Sequence, residues 1–255
     1  MKVAERRPEK SEPLPIAQIP AAILAGGLAT RLRPITETIP KALVEVGGRP
    51  FIDYPLHLLY RNGIRRVILC LGHLGDQVEK HLRNSKFHDL EIHYSYDGPQ
   101  LLGTGGALRR AAPLLGELFW VMYGDSYMDI DYRRVRAAFP EQETYLGLMT
   151  VMQNQDRWDR SNVIFRDGRL WKYDKRQQTA DMTHIDFGVA LLRRTALERI
   201  APHQPGDLAD LYSRLVAEGR MMGYEVTQRF YEIGSPAGLQ ETRAYLHHHG
   251  GLAVG

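Results

Sequence analysis

AAILAGGLATRLRPITETIPK, residues 21–41, sets the reading of the whole chain. A short apolar run breaks into a glycine-rich loop, offers Arg31 and Arg33, passes a proline, and returns Lys41 after a second proline. This is the layout of a strand whose end opens onto an anion. Gly26 and Gly27 are expected to take positive φ, so that consecutive N–H groups converge on phosphate oxygens, while Arg31 and Lys41 add full positive charge. Taken alone, the loop fits equally a tight strand-to-helix turn with two solvated basic residues.

Outward from this loop, strand and helix signals alternate for a hundred residues. PFIDYPLHLLYRNG reads as an amphipathic helix with Ile52, Leu56, Leu59 and Tyr60 near one face and Gly63 as its stop. RRVILCLG is a buried strand, GDQVEKHL a short helix, EIHYSY a third strand, LLGTGGALRRAAPLLG a glycine turn feeding a helix, and LFWVMYGD another apolar strand. The second half has a different texture. NVIFRDGRLWKYDK carries an Asp167-Gly168 hairpin signal, and DFGVALLRR is a strand. TALERI and LADLYSRLVAEG read as helices, the latter with Asp207 as its cap. Two short strands flank Thr227 and Gln228, and PAGLQETRAYL closes the domain as a helix. The expected fold is α/β, in three layers, with a mixed, mostly parallel, Rossmann-like sheet.

The gross numbers fit one large domain. The chain has 255 residues, 44% hydrophobic, and its 33 basic residues nearly balance 30 acidic ones. The basic residues are scattered and do not interleave with aromatic ones, so nucleic acid is not an expected partner. Cys70 is the only cysteine, which excludes a disulfide framework and a thiolate metal cage. No apolar stretch approaches the ~18 residues of a membrane span, and MKVAERRPEKSEPLP lacks a secretory apolar segment. The expectation is a cytoplasmic protein with no membrane partner. Residues 1–18 are expected to form a flexible extension, 19–247 the domain and 248–255 a flexible tail.

In an open α/β sheet the ligand binds at the carboxyl ends of the strands. Four places qualify. The first is the opening loop. The second is LGTGGA, where Gly103, Gly105 and Gly106 are expected to bring backbone close to something flat or anionic; Leu108 breaks the dinucleotide fingerprint, and no P-loop pattern occurs. The third is Asp125 in YGDSYMDID, a carboxylate at a strand end, which suits magnesium held by one or two carboxylates plus substrate phosphates. Asp129 and Asp131 read as loop and capping residues. The fourth is Glu232 in FYEIGSP, a second carboxylate after a strand. Together they suit phosphoryl or nucleotidyl transfer, in which an incoming phosphate oxygen attacks the α-phosphorus of a nucleoside triphosphate and Arg31 and Lys41 offset charge.

GGLATRLRP, PKALVEVGGRPFIDY, LGTGGAL, the Gly124-Asp125 pair and YEIGSP, in this order, resemble the sugar-1-phosphate nucleotidyltransferase family, from about Pro20 to Leu246. MQNQDR and the compact length look most like heptose- and mannose-1-phosphate guanylyltransferases, with the N-acetylmuramate-phosphate uridylyltransferases next. The resemblance implies a nucleotidyltransferase (GT-A-like) domain that takes GTP or UTP and a sugar 1-phosphate, as a monomer or homodimer, with Mg²⁺. It implies that Leu24, Ala25, Gly26, Gly27, Thr30 and Arg31 hold the nucleotide with Gly103, Thr104 and Gly105. Gly106, Tyr123, Lys175, Asp186 and Gly188 would meet the sugar phosphate, with Arg31, Lys41 and Asp125 at the reacting phosphates and Asp125 and Glu232 on the metal. Four residues depart from the family pattern. Ala29 replaces a loop glycine, at an expected strain of about 1 kcal/mol if φ is positive. Tyr123 and Asp186 each stand where asparagine is usual, and Glu232 replaces an aspartate. Two other classes compete: a catalytically silent nucleotide-sugar sensor on the same fold, and a glycosyltransferase, which would have no triphosphate for the Lys41 and Arg31 elements to grip.

Overall fold

The computed structural model describes residues 13–85, 87 and 89–249. In chain order its strands are β1 (Ala21–Leu24), β2 (Glu45–Val46), β3 (Arg49–Pro50), β4 (Arg66–Leu71), β5 (Glu91–Tyr96), β6 (Leu118–Tyr123), β7 (Ser126–Tyr127), β8 (Gly147–Gln153), β9 (Val163–Arg166), β10 (Arg169–Tyr173), β11 (His184–Arg193), β12 (Met221–Val226) and β13 (Tyr231–Glu232). Six helices intervene: α1 (Asp53–Arg61), α2 (Gly75–Arg83), α3 (Gly103–Ala111), α4 (Tyr132–Ala138), α5 (Leu208–Ala217) and α6 (Pro236–His248).

Among the described residues the main sheet has nine strands. It runs β10-β9-β11-β6-β1-β4-β5, with β8 on the other edge of β11 and β12 outside β8. β6, β1, β4 and β5 are parallel neighbours, β11 is antiparallel to both β6 and β8, and β12 returns parallel to β8. The carboxyl ends of β1, β4, β5, β6, β8 and β12 therefore share one edge. The sheet is mixed and mostly parallel, in three layers, as expected.

Period-two alternation builds the layers. Ala21 and Ile23 of β1 and Val67, Leu69 and Leu71 of β4 face one core with Leu56 and Leu59 of α1, Val78 of α2 and Val135 of α4. Ala22, Ile68 and Cys70 face the opposite core, against Leu108 of α3 and Leu208 and Leu215 of α5. Burial raises the Cys70 thiol to about 12, so it is an inert core residue. A third cluster packs α6, through Leu239 and Leu246, on Leu32, Val44 and Phe51.

Asp131 and Asp207 cap α4 and α5, and Ser235 caps α6 with Pro236 following. Asp167 and Gly168 both take positive φ in the β9–β10 hairpin, 51° and 73°. One expectation is revised. TALERI forms a 3₁₀ turn, Arg194–Arg199, and no α-helix. Two short strands flank Thr227 and Gln228 as expected, in separate sheets: β12 joins the main sheet, and β13 pairs with β7. Within the expected N-terminal extension, residues 1–12 lie outside the described residues, while Ile16–Gln18 form a 3₁₀ turn and Ile16 packs against the core. In the expected tail, residues 250–255 lie outside the described residues, and α6 continues through His248.

Candidate active site

A cleft opens where β1, β4 and β6 end. Its lining runs from Leu24, Ala25, Gly26 and Gly27 on one wall through Lys41 and Ala42 to Tyr123, Gly124 and Asp125, with Asp97, Leu101, Gly103 and Thr104 opposite. Three backbones meet tightly at its base. A Cβ on Gly26 would lie 2.9 Å from Gly72 N, and one on Gly124 would lie 2.9 Å from Leu24 O. These glycines are required by close strand-end packing.

The expectation of positive φ at Gly26 and Gly27 is not met; neither is among the positive-φ residues. Ala29 takes that conformation instead, at φ 50° and ψ 42°, where Thr36 Oγ1 donates to Ala29 O at 2.8 Å. The loop then turns through Thr30–Leu32, with Thr30 and Arg31 exposed.

Lys41 opens a 3₁₀ turn, and its Nζ donates to Asp125 Oδ2 at 2.7 Å. Ser126 Oγ donates to Asp125 Oδ1 at 3.1 Å, and Ile233 N–H donates to the Asp125 carbonyl at 2.9 Å, which ties β13 to the end of β6. Glu232 therefore stands beside Asp125. Its carboxylate turns back on its own loop, accepting from Gly234 N–H through Oε2 and from Ser235 Oγ at 2.9 Å through Oε1. Gly234 is the point of convergence: a Cβ there would press on Glu232 Oε2 and lie 3.1 Å from Arg31 Nη2 and 3.3 Å from Asp125 Oδ2. Two carboxylates around one backbone atom fit a divalent cation that takes its remaining ligands from phosphate and water, although Glu232 brings oxygens already hydrogen-bonded.

Gly103–Gly106 also pack against the loop before α5. Gly105 N–H and Gly106 N–H both donate to Gly206 O, at 2.8 and 3.3 Å, and Cβ atoms at 103, 105 and 106 would collide with residues 204–207. Gly105 and Gly106 thus seat α3 on the loop before α5, with their N–H groups already engaged. Gly103 and Thr104 remain at the cleft, and Thr104 Oγ1 donates to Asp207 Oδ1 while accepting from Leu208 N–H.

On the far side Lys175 Nζ donates to Tyr123 Oη at 3.2 Å and lies 3.7 Å from Asp186 Oδ2. Asp186 is fully engaged and 3% exposed: Oδ1 accepts from Gly188 N–H at 3.0 Å and Oδ2 from Tyr173 Oη at 3.2 Å. Gly188 takes φ 99°, producing the register break between β11 and β8. Burial opposes the Lys175 charge, but the Asp186 carboxylate and the Tyr123 hydrogen bond more than offset it, so its pKa lies above the usual lysine range. Burial and Asp186 push the Tyr123 phenol up to about 12. Sequence reasoning missed Tyr173 and Asn162, whose Oδ1 accepts from Asp186 N–H at 2.9 Å. It also missed Gly234, which YEIGSP displayed without saying what converged there.

The chain belongs to the nucleotidyl transferase family, whose pattern matches residues 20–162. It is 30% identical over 239 residues to the N-acetylmuramate alpha-1-phosphate uridylyltransferase of Caulobacter vibrioides, covering 89% of this chain and 96% of that protein. It is 27% identical over 215 residues to the UTP–glucose-1-phosphate uridylyltransferase of Synechocystis, covering 78% of this chain and 55% of that protein. It is also 27% identical over 222 residues to the mannose-1-phosphate guanylyltransferase catalytic subunit beta of Danio rerio, covering 85% and 61%. The chain thus spans little more than half the length of the last two. Among solved structures, HddC from Yersinia pseudotuberculosis complexed with GMP-PN superimposes with a TM-score of 0.73 at 22% identity, covering 89% of this chain and 99% of that one. The inositol-1-phosphate CTP transferase from T. maritima does so with 0.75 at 23%, covering 93% and 99%. At these identities the superpositions speak to the fold.

Proposed function

We propose that the chain transfers a nucleoside monophosphate from a nucleoside triphosphate to a sugar 1-phosphate, releasing pyrophosphate and a nucleotide sugar. One observation carries the reading: Arg31, Asp125 and Glu232 converge on Gly234, with Lys41 paired to Asp125, at the open mouth of a strand-end cleft. A phosphate oxygen of the sugar 1-phosphate attacks the α-phosphorus in line, and the bond to the pyrophosphate oxygen breaks. A phosphate nucleophile is already ionised at neutral pH, so no general base is needed; the chain positions the reactants and neutralises charge. Lys41 holds the phosphates between the two substrates, and Arg31 the departing pyrophosphate. Lys175 with Tyr123 receives the sugar phosphate on the other side, Asp186 holding the lysine in place and charged. Asp125 and Glu232 would hold Mg²⁺, which when bound neutralises charge on both reactants.

GTP with a mannose- or heptose-type 1-phosphate is the pairing we favour, supported by the likeness to guanylyltransferases; UTP is the alternative, supported by the uridylyltransferase relatives. Pyrophosphate release from a panel of nucleoside triphosphates against hexose, heptose and N-acetylmuramate 1-phosphates tests the reading. A second reading, a silent nucleotide-sugar sensor, is favoured by the hydrogen bonds that turn the Glu232 carboxylate back on its own loop. Tight nucleotide-sugar binding without turnover would select it.

A further inference from the structure

One side of α6 is built around the strand that carries Glu232. Gly238, Glu241, Thr242 and Tyr245 recur at intervals of three and four residues and so share a face of that helix. Each meets the stretch 229–232. A Cβ on Gly238 would collide with Glu232 Oε1. Thr242 is 0% exposed, and its Oγ1 donates to the Glu232 carbonyl at 2.9 Å. Glu241 is ion-paired with Arg229, and the Tyr245 ring stacks on Tyr231 with centroids 3.9 Å and planes 17° apart. The Arg229 guanidinium carries the stack outward: its carbon lies 4.8 Å from the Tyr231 ring centroid and 5.1 Å from that of Trp158, in the loop after β8. None of these groups has a part in the transfer chemistry. β13 itself is two residues long and pairs with the equally short β7, so its own ladder supplies few hydrogen bonds to hold it.

Resting on the reading of Asp125 and Glu232 as a cation site, we propose that Thr242 and Arg229 are positioning residues, which fix the backbone pivot from which the Glu232 carboxylate reaches that site. The carboxylate accepts from Gly234 N–H and Ser235 Oγ at the start of α6, where the helix dipole favours its negative charge. To share a cation with Asp125 it leaves those donors by rotating its side chain. With the Glu232 carbonyl held by Thr242 and the preceding residues held by Arg229 and the Tyr231 stack, the swing is confined to the side-chain torsions. Ordering the backbone in advance spares the entropy that a loose two-residue strand would lose on binding the cation. The partners behind a ligand orient it, and their removal is felt at the metal although they never touch it.

The test is Mn²⁺ binding to the full chain by electron paramagnetic resonance, alongside pyrophosphate release over a Mg²⁺ series. Thr242→Val keeps the side-chain shape and deletes the hydroxyl, Thr242→Ser keeps the hydroxyl, and Arg229→Met removes the ion pair and lifts the guanidinium from both rings. The Val and Met variants are expected to bind Mn²⁺ about 10-fold more weakly, the usual loss when a partner behind a metal ligand is removed. They are expected to need correspondingly more Mg²⁺ for half-maximal kcat, with KM for the sugar 1-phosphate unchanged. Thr242→Ser is expected to match the wild type. In a Glu232→Gln background neither substitution is expected to add a further loss, because the group they position is gone. Wild-type protein that binds no Mn²⁺, Mn²⁺ affinity unchanged in both variants, or losses that add in full to that of Glu232→Gln overturns the proposal. If Thr242→Val does not fold, Arg229→Met decides, since that side chain is 28% exposed. Mn²⁺ affinity that falls as expected in a chain that releases no pyrophosphate would overturn the transferase reading and leave the positioning of Glu232 standing.

Discussion

Lys41 and Asp125, 84 residues apart in sequence, meet at the mouth of the cleft with Nζ and Oδ2 2.7 Å apart. The lysine thus occupies an oxygen of the carboxylate placed to hold a cation. On the proposed reading, substrate phosphates entering the cleft would draw Lys41 away from Asp125 and so couple phosphate binding to exposure of the proposed cation site. Lys41→Met is expected to lower kcat/KM by about 10²–10³-fold, the usual cost of one charge-stabilising donor, while strengthening Mg²⁺ binding to the free protein. Steady-state pyrophosphate release and a Mg²⁺ titration check the two halves separately; weaker cation binding in the variant would contradict the competition.

Gly234 has room for hydrogen alone. Gly234→Ala pushes a methyl against the Glu232 carboxylate, 3.1 Å from Arg31 Nη2 and 3.3 Å from Asp125 Oδ2. Activity is expected to fall at least 10-fold with Tm lowered by only a few degrees, because the collisions are with side chains at the cleft mouth. Thermal unfolding and kinetics on the same preparation read both.

Asp186 keeps Lys175 charged. The folded-state pKa of Lys175 is raised, so its stabilising contribution is fully present below the unfolded value of about 10.4 and is lost as pH rises through the higher folded value. Asp186→Asn removes the largest of the groups that offset burial, leaving the Tyr123 hydrogen bond and Asp207, so the ammonium deprotonates at lower pH than in the wild type. KM for the sugar 1-phosphate is then expected to climb with rising pH in the variant at a lower pH than in the wild type. A flat profile in both would show that Lys175 does not meet the phosphate.

Ala29 sits in a left-handed conformation that costs a non-glycine residue about 1–2 kcal/mol. Ala29→Gly relieves this while adding unfolded-state entropy of about 0.4–1 kcal/mol. The net expectation is a gain of about 1 kcal/mol, or about 2–4 °C in Tm for a chain of this size. Differential scanning calorimetry measures it.

Much of this was legible because short-range patterns encode it. The alternation of strand and helix gave the parallel half of the sheet, Asp167-Gly168 gave the hairpin, and the motifs around Gly26 and Asp125 fall at one sheet edge because residues just past parallel strands must. What stayed hidden depends on partners distant in sequence. Gly103, Gly105 and Gly106 look like a ligand loop, yet the backbone they approach is that of residues 204–207. Gly26 looks like a positive-φ residue and is a contact with Gly72. Glu232 as a metal ligand is a matter of side-chain direction, and the hydrogen bonds from Gly234 and Ser235 that set it are invisible in a one-dimensional pattern.

The reaction proposed at this cleft is transfer of a nucleotide to a sugar 1-phosphate. The direct test is pyrophosphate release, with Mg²⁺, from GTP and UTP in turn against mannose, heptose, glucose and N-acetylmuramate 1-phosphates. Turnover is expected with at least one pair, fastest with GTP, abolished by chelation and restored by added Mg²⁺. No turnover with any pair, in a protein that still binds nucleotide sugar tightly, would contradict it.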